Sequence, residues 1–316
     1  HASMMESLMK RMIPTLALVL LTAALGCKKP QKAPGSQGVS ASQLLMEGES
    51  LMKIGKHTEG RQKLRILEEN LPGTPEYPRA KLLLADSFFF QSGPSYPEAA
   101  MEYQSFLNYF PRDERKDYAL YHLALCHYAS IESAERDQST TRKAMDAFET
   151  LLRETPGSPY IPEARAKLVQ CWRRIAEHEV LVGIFYVNSY HFSGAETRLK
   201  GALETYPDHV DRERAYYYLG EALRRKYLPY TEIERFYKAY LAKVGKTEKD
   251  TLEPADLKAY EAELKAFADT EVKRYREESK SYYQKLVESY PNTEWARRAQ
   301  DRLLEMGTVV KEGLDA

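Results

Sequence analysis

The chain has 316 residues, of which 43% are hydrophobic, and its 46 Lys plus Arg balance 46 Asp plus Glu. A net charge of zero gives no field that favours nucleic acid or an anionic membrane surface, and nucleic acid is not expected as a partner. The length allows two ordinary domains, but the regular punctuation of this chain makes one continuous superhelix the simpler reading.

His1-Ala2-Ser3 precede two methionines and read as a cloning scar or a misplaced start. Lys10-Arg11 then lead an apolar run from Met12 to Gly26. That run is too short to span a bilayer but suits a signal-peptide core, so residues 1–26 are expected to direct export. It closes on Ala23-Ala24-Leu25-Gly26-Cys27, which resembles the lipobox of bacterial lipoproteins and marks Cys27 as the lipid-attachment residue. Ala24 and Leu25 stand in the reverse of the usual order, which leaves plain signal-peptidase cleavage as the alternative. An acylated Cys27 would hold the protein on a membrane face, since each buried methylene contributes about 0.8 kcal/mol. Residues 27–41 read as this lipidated terminus and a Pro- and Gly-rich tether reaching roughly 20 Å.

From Ser42 onward a helix-closing phrase recurs: Leu67 to Pro72, Phe106 to Pro111, Leu151 to Pro156, Leu203 to Pro207 and Leu286 to Pro291. Proline lacks an N–H and clashes with the preceding turn, so each copy ends one amphipathic helix. The prolines lie 39, 45, 51 and 84 residues apart, against about 34 in an unadorned tetratricopeptide repeat. Counting back from Pro207, Gly183, Tyr186, Ala195, Leu199 and Ala202 take the repeat's characteristic places. Small residues there let antiparallel helices approach while large ones fill the gap. The same register gives Gly48, Leu51, Gly60 and Leu64 before Pro72. It gives Phe90, Ala99, Tyr103 and Phe106 before Pro111, and Ala144, Phe148 and Leu151 before Pro156.

Tyr216, Leu219, Gly220 and Leu223 supply the first helix of a fifth unit. Ile233, Phe236, Tyr237, Tyr240, Leu241 and Val244 then form one helical stripe, and Leu257, Tyr260, Leu264, Phe267, Val272 and Tyr275 a longer one opened by Pro254. The expected fold is all-α: a tetratricopeptide-repeat-like helical solenoid of about five helix pairs with an inserted helical hairpin near the C-terminus. Repeats one to four and the first helix of the fifth occupy 42–228, the hairpin 229–277, and the completion of repeat five with a terminal helix 278–316.

Cys126 and Cys171 have no metal-ligand spacing and stand as buried thiols or as a disulfide pair. His122 and His127 are five apart, the wrong spacing for one ion on one helical face. Gly245-Lys246-Thr247 imitates a phosphate loop, but Tyr240 stands where its first glycine belongs, and a helix precedes it. No enzyme activity, cofactor or metal is expected. The 23 tyrosines suit packing between helices and, secondarily, peptide recognition.

A lipobox followed by five such repeats resembles the BamD family, lipoprotein subunits of the machinery that assembles β-barrels in Gram-negative outer membranes. The resemblance covers roughly Ser42 to Arg225. It is carried most strongly by Arg136-Asp137-Gln138-Ser139-Thr140, Pro156-Gly157-Ser158-Pro159-Tyr160, Glu179, Phe185-Tyr186, Arg198 and Tyr206-Pro207. The sequence departs from the family where Ser189-Tyr190-His191 replaces Arg-Gly-Ala, and again at the hairpin. The resemblance implies a non-enzymatic scaffold, anchored by lipid on the periplasmic face of the outer membrane. Its partners would be unfolded barrel precursors at the amino-terminal repeats and a BamA-like barrel protein at the carboxy-terminal ones. In this register Leu45, Met52, Phe88, Gln91 and His122 face the precursor groove or pack within their repeats. Arg136, Asp137 and Gln138 bind a partner or brace their loop. The alternative is a pilotin-like or envelope-coordinating repeat lipoprotein, serving a secretin or peptidoglycan enzymes.

Overall fold

In the computed structural model, which describes residues 39–226 and 230–307, every regular element is an α-helix. The expected signal sequence, Cys27 and most of the tether lie outside those residues. Four antiparallel pairs come first: α1 (Ala41–Lys53) with α2 (His57–Asn70), α3 (Tyr77–Phe89) with α4 (Tyr96–Tyr109), α5 (Lys116–Ala129) with α6 (Ser139–Glu154), and α7 (Ile161–Asn188) with α8 (Phe192–Thr205). Then follow α9 (Arg212–Arg225), α10 (Tyr230–Lys243), α11 (Pro254–Ser289) and α12 (Glu294–Glu305).

The five proline phrases end five helices in one conformation. The residue before each proline, Leu71, Phe110, Thr155, Tyr206 or Tyr290, is the C-cap, with φ between −137° and −124° and ψ between 44° and 58°. Proline's Cδ excludes the helical region for its predecessor, so the chain leaves the helix there. Each cap N–H still donates to the carbonyl four residues back, and each cap carbonyl accepts from the residue three further on. Helix starts are equally local: Ser40, Asp211 and Thr293 accept backbone N–H groups with their side chains, while α3, α4, α7 and α11 open with proline.

Packing follows the register. The places 12, 8 and 5 residues before each proline are buried in every unit; in the fifth they are Ser279, Tyr283 and Leu286, counted from Pro291. Small residues permit the close approach: a Cβ on Gly183 would stand 2.6 Å from Leu199 Cγ, and one on Gly220 2.5 Å from the Tyr283 ring. First helices also approach one another across unit boundaries, α1 on α3, α5 on α7 and α7 on α9, more closely than second helices do. The stack therefore curves with its first helices on the inner side.

The second helix of unit five is the C-terminal half of α11, which packs on α9. No break falls at 277/278, because the hairpin's return arm and this helix are one continuous rod of 36 residues. The unit is locked by Glu221, which accepts from Tyr283 Oη at 2.7 Å, Arg302 Nε at 2.8 Å and Arg224 at 2.9 Å. These donors hold its carboxyl below the usual range against the upward push of burial. At the Ser189-Tyr190-His191 turn, Tyr190 takes a left-handed φ of 63°, and the Arg225 guanidinium lies 4.9 Å over its ring.

Candidate functional site: an aromatic face on the first helices

Two patches grow from the C-terminal half of α3 on the inner side of the stack. One centres on Arg61 of α2, whose guanidinium lies 4.3 Å over the Phe88 ring and donates to Gln91 Oε1 and the Ser87 carbonyl, both at 3.0 Å. Phe88 and Gln91 are thus brought together by a residue from the neighbouring unit.

The other centres on Asp86 and His122. Asp86 accepts from Tyr103 Oη at 2.6 Å and Tyr118 Oη at 3.0 Å. Burial pushes its carboxyl up to about 6, although both hydroxyls pull it down. His122 is buried and sits 3.0 Å through Nδ1 from the Tyr118 carbonyl, the geometry of a donating N–H. Burial lowers its affinity for a second proton, so the ring stays neutral. Phe89, Tyr118, Tyr121 and Tyr160 surround it, and Tyr121 stacks on Tyr160 at 4.5 Å with planes 9° apart. Phe90 remains 54% exposed at the rim. Such a surface presents π-faces and a few polar atoms, which suits apolar and aromatic side chains of an extended peptide more than a reaction.

The remaining expected site residues go elsewhere. Leu45 packs on the cluster of Ala41, Leu44, Leu64, Leu67, Ala80 and Leu84, and Met52 closes over Gly60 inside the first pair. Gln138 is buried; its amide donates to the Ser133 and Arg136 carbonyls and its Oε1 accepts from Thr141. Asp137 accepts from the Ser139 N–H, and Arg136 lies exposed beside Glu132. His178 of α7, through Nδ1, meets the Ala134 carbonyl at 2.7 Å and pins the same loop.

Arg61, Asp86, Tyr118 and Tyr121 were not legible as site residues in the sequence, and Tyr160 stood out only as the end of the Pro156-Gly157-Ser158-Pro159-Tyr160 phrase. Asp86 carries a signal in hindsight, a lone acid in the run from Leu82 to Phe90. Cys126 and Cys171 are buried free thiols, pushed up to about 12 and about 11 by burial. Among the described residues no three His, Cys, Asp or Glu side chains gather as a metal site, and no helix is long and apolar enough to cross a membrane.

Proline-closed helix pairs, a curved stack and an aromatic inner face define a tetratricopeptide-type helical scaffold. Residues 37–235 match the family described as outer membrane lipoprotein, YfiO, and the chain belongs to that family, the BamD family. Relatives include the outer membrane protein assembly factor BamD of Haemophilus influenzae, 27% identical over 210 residues that cover 63% of this chain and 78% of that protein. The BamD proteins of Rickettsia prowazekii and Caulobacter vibrioides are each 26% identical, covering 65% and 66% of this chain and 81% and 68% of theirs. The family match ends inside α10, so most of the arm and α12 lie beyond it.

Proposed function

We propose that this protein is a non-enzymatic outer-membrane lipoprotein scaffold that helps assemble and insert β-barrel proteins. It binds unfolded precursors on the inner aromatic face and a BamA-type barrel subunit through its carboxy-terminal units. Family membership supports the process, and the ring cluster around Asp86 and His122 carries the reading of the precursor site. Exposed aromatic side chains of an unfolded barrel strand would stack on Phe90 and Tyr160. Cys27 would carry the lipid that holds the scaffold on the periplasmic face.

The test is depletion combined with mild-detergent pull-down. Recovery of a barrel protein with periplasmic repeat domains, together with a fall in outer-membrane barrel levels, is expected. Unchanged barrel levels and no such partner would end this reading, and selective loss of a secretin would favour the pilotin-like alternative. Replacing Cys27 by Ser should move the protein from the membrane to the soluble fraction.

A further inference from the structure

The repeat builds one outer cleft twice, with different chemistry. Over α5, between α4 and α6, an open cleft is lined by Gln104, Leu107, Asn108, Leu120, Leu123 and His127. Exactly repeated positions, 45 residues on at the Pro111 to Pro156 spacing, line a cleft of about 550 Å3 over α7: Glu149, Leu152, Arg153, Arg165, Leu168 and Trp172. Four places change character: Gln104 is matched by Glu149, Asn108 by Arg153, Leu120 by Arg165 and His127 by Trp172.

The second cleft is also left open on its far side. Thr150 lines the first cleft, and its match in α8 is Gly201, above which nothing lies within 4 Å. Leu168 is a buried floor, and Trp172 is held by stacking on His209 at 5.2 Å. Among the described residues Arg165 has no ion pair or hydrogen bond. Arg153 reaches only the Thr150 hydroxyl at 3.2 Å and Glu154 at 3.5 Å, and Glu154 is already held by Lys116 at 2.8 Å. Two guanidiniums with unspent donors thus face one rim carboxylate, Glu149.

We propose that this cleft docks a protein segment in which one large apolar side chain is flanked by carboxylates. The apolar side chain covers Leu152, Leu168 and Trp172, and the carboxylates take the planar forks of Arg153 and Arg165. The site lies on the outer side of the stack and does not depend on the inner aromatic face.

Of the chain's two tryptophans, Trp295 is replaced by Phe so that Trp172 emission alone reports binding. The probe is a capped synthetic peptide with one Phe between pairs of Asp, titrated into the full chain beside its Asn-for-Asp analogue. A saturable change with the acidic peptide is expected, weaker by roughly tenfold or more in the combined Arg153→Asn, Arg165→Leu variant. That variant copies the neighbouring cleft, whose residues already fit this packing, and far-ultraviolet circular dichroism confirms its fold. Equal affinity for the Asn peptide, an unaffected variant, no saturable change at millimolar peptide, or a response only to phosphatidylglycerol vesicles would each overturn the proposal.

Discussion

The repeat units and the inserted arm both pair antiparallel helices, but they close the joint differently. In units one, four and five a glycine faces a large side chain, Gly48 against Leu64, Gly183 against Leu199 and Gly220 against Tyr283, and the joint is fully buried. In the arm, ring meets ring: Phe236 stacks on Phe267 at 4.9 Å with planes 18° apart, and Tyr237 and Tyr240 both meet Tyr260 at 5.3 Å. Phe236, Tyr237, Tyr260 and Phe267 stay half-buried. A missing side chain lets backbones approach and expel water, whereas rings on both sides hold helices apart. The difference predicts that the units carry the stability and that the arm adds little.

The sharpest challenge is Tyr283→Ala, which empties the fully buried joint of unit five and removes a donor from Glu221. A loss of about 3–5 kcal/mol in urea unfolding is expected. A loss no larger than that from the arm would break the comparison.

A pH series on Asp86→Asn comes next. The folded carboxyl keeps its proton to about pH 6, whereas the unfolded one releases it near 3.8. The folded state therefore binds more protons in that window, and stability falls as pH rises from about 4 to about 6, by on the order of 2 kcal/mol. Asn keeps the acceptor for both tyrosines and should abolish this slope. An unchanged slope would remove Asp86 as its source.

In the arm, Phe236→Ala should cost about 1 kcal/mol, the worth of a half-wet aromatic pair, with little change in the global unfolding midpoint. The smallest effect is expected at the turn between α7 and α8. Tyr190→Gly relieves the left-handed φ of 63° but loses the Arg225 contact, for a net gain of about 1 kcal/mol or less in thermal unfolding.

Much of this was legible in sequence because its causes are local. Each proline fixes its own cap, and the small and large places at constant distance from it define the joint of their own pair. The continuity of α11 was less visible. The buried places Tyr275, Ser279, Tyr283 and Leu286 continue the hairpin's stripe without a breaker, so the arm and the fifth unit share one helix. The inner face was only half visible. Phe88, Gln91 and His122 lie on it or under it, but Arg61 and Tyr160, and the Tyr103 and Tyr118 hydroxyls that meet Asp86, come from other helices, and no spacing within one helix records their meeting.

The sequence by itself determined where helices stop, which faces pack and how many units stack, since these depend on proline sterics and on period. Only the tertiary structure decided which side chains from separate units meet: Arg61 over Phe88, two tyrosines on Asp86, and two arginines beside Trp172. Those juxtapositions follow from the curvature of the stack, which is set by the sum of many helix contacts and is written at no single position.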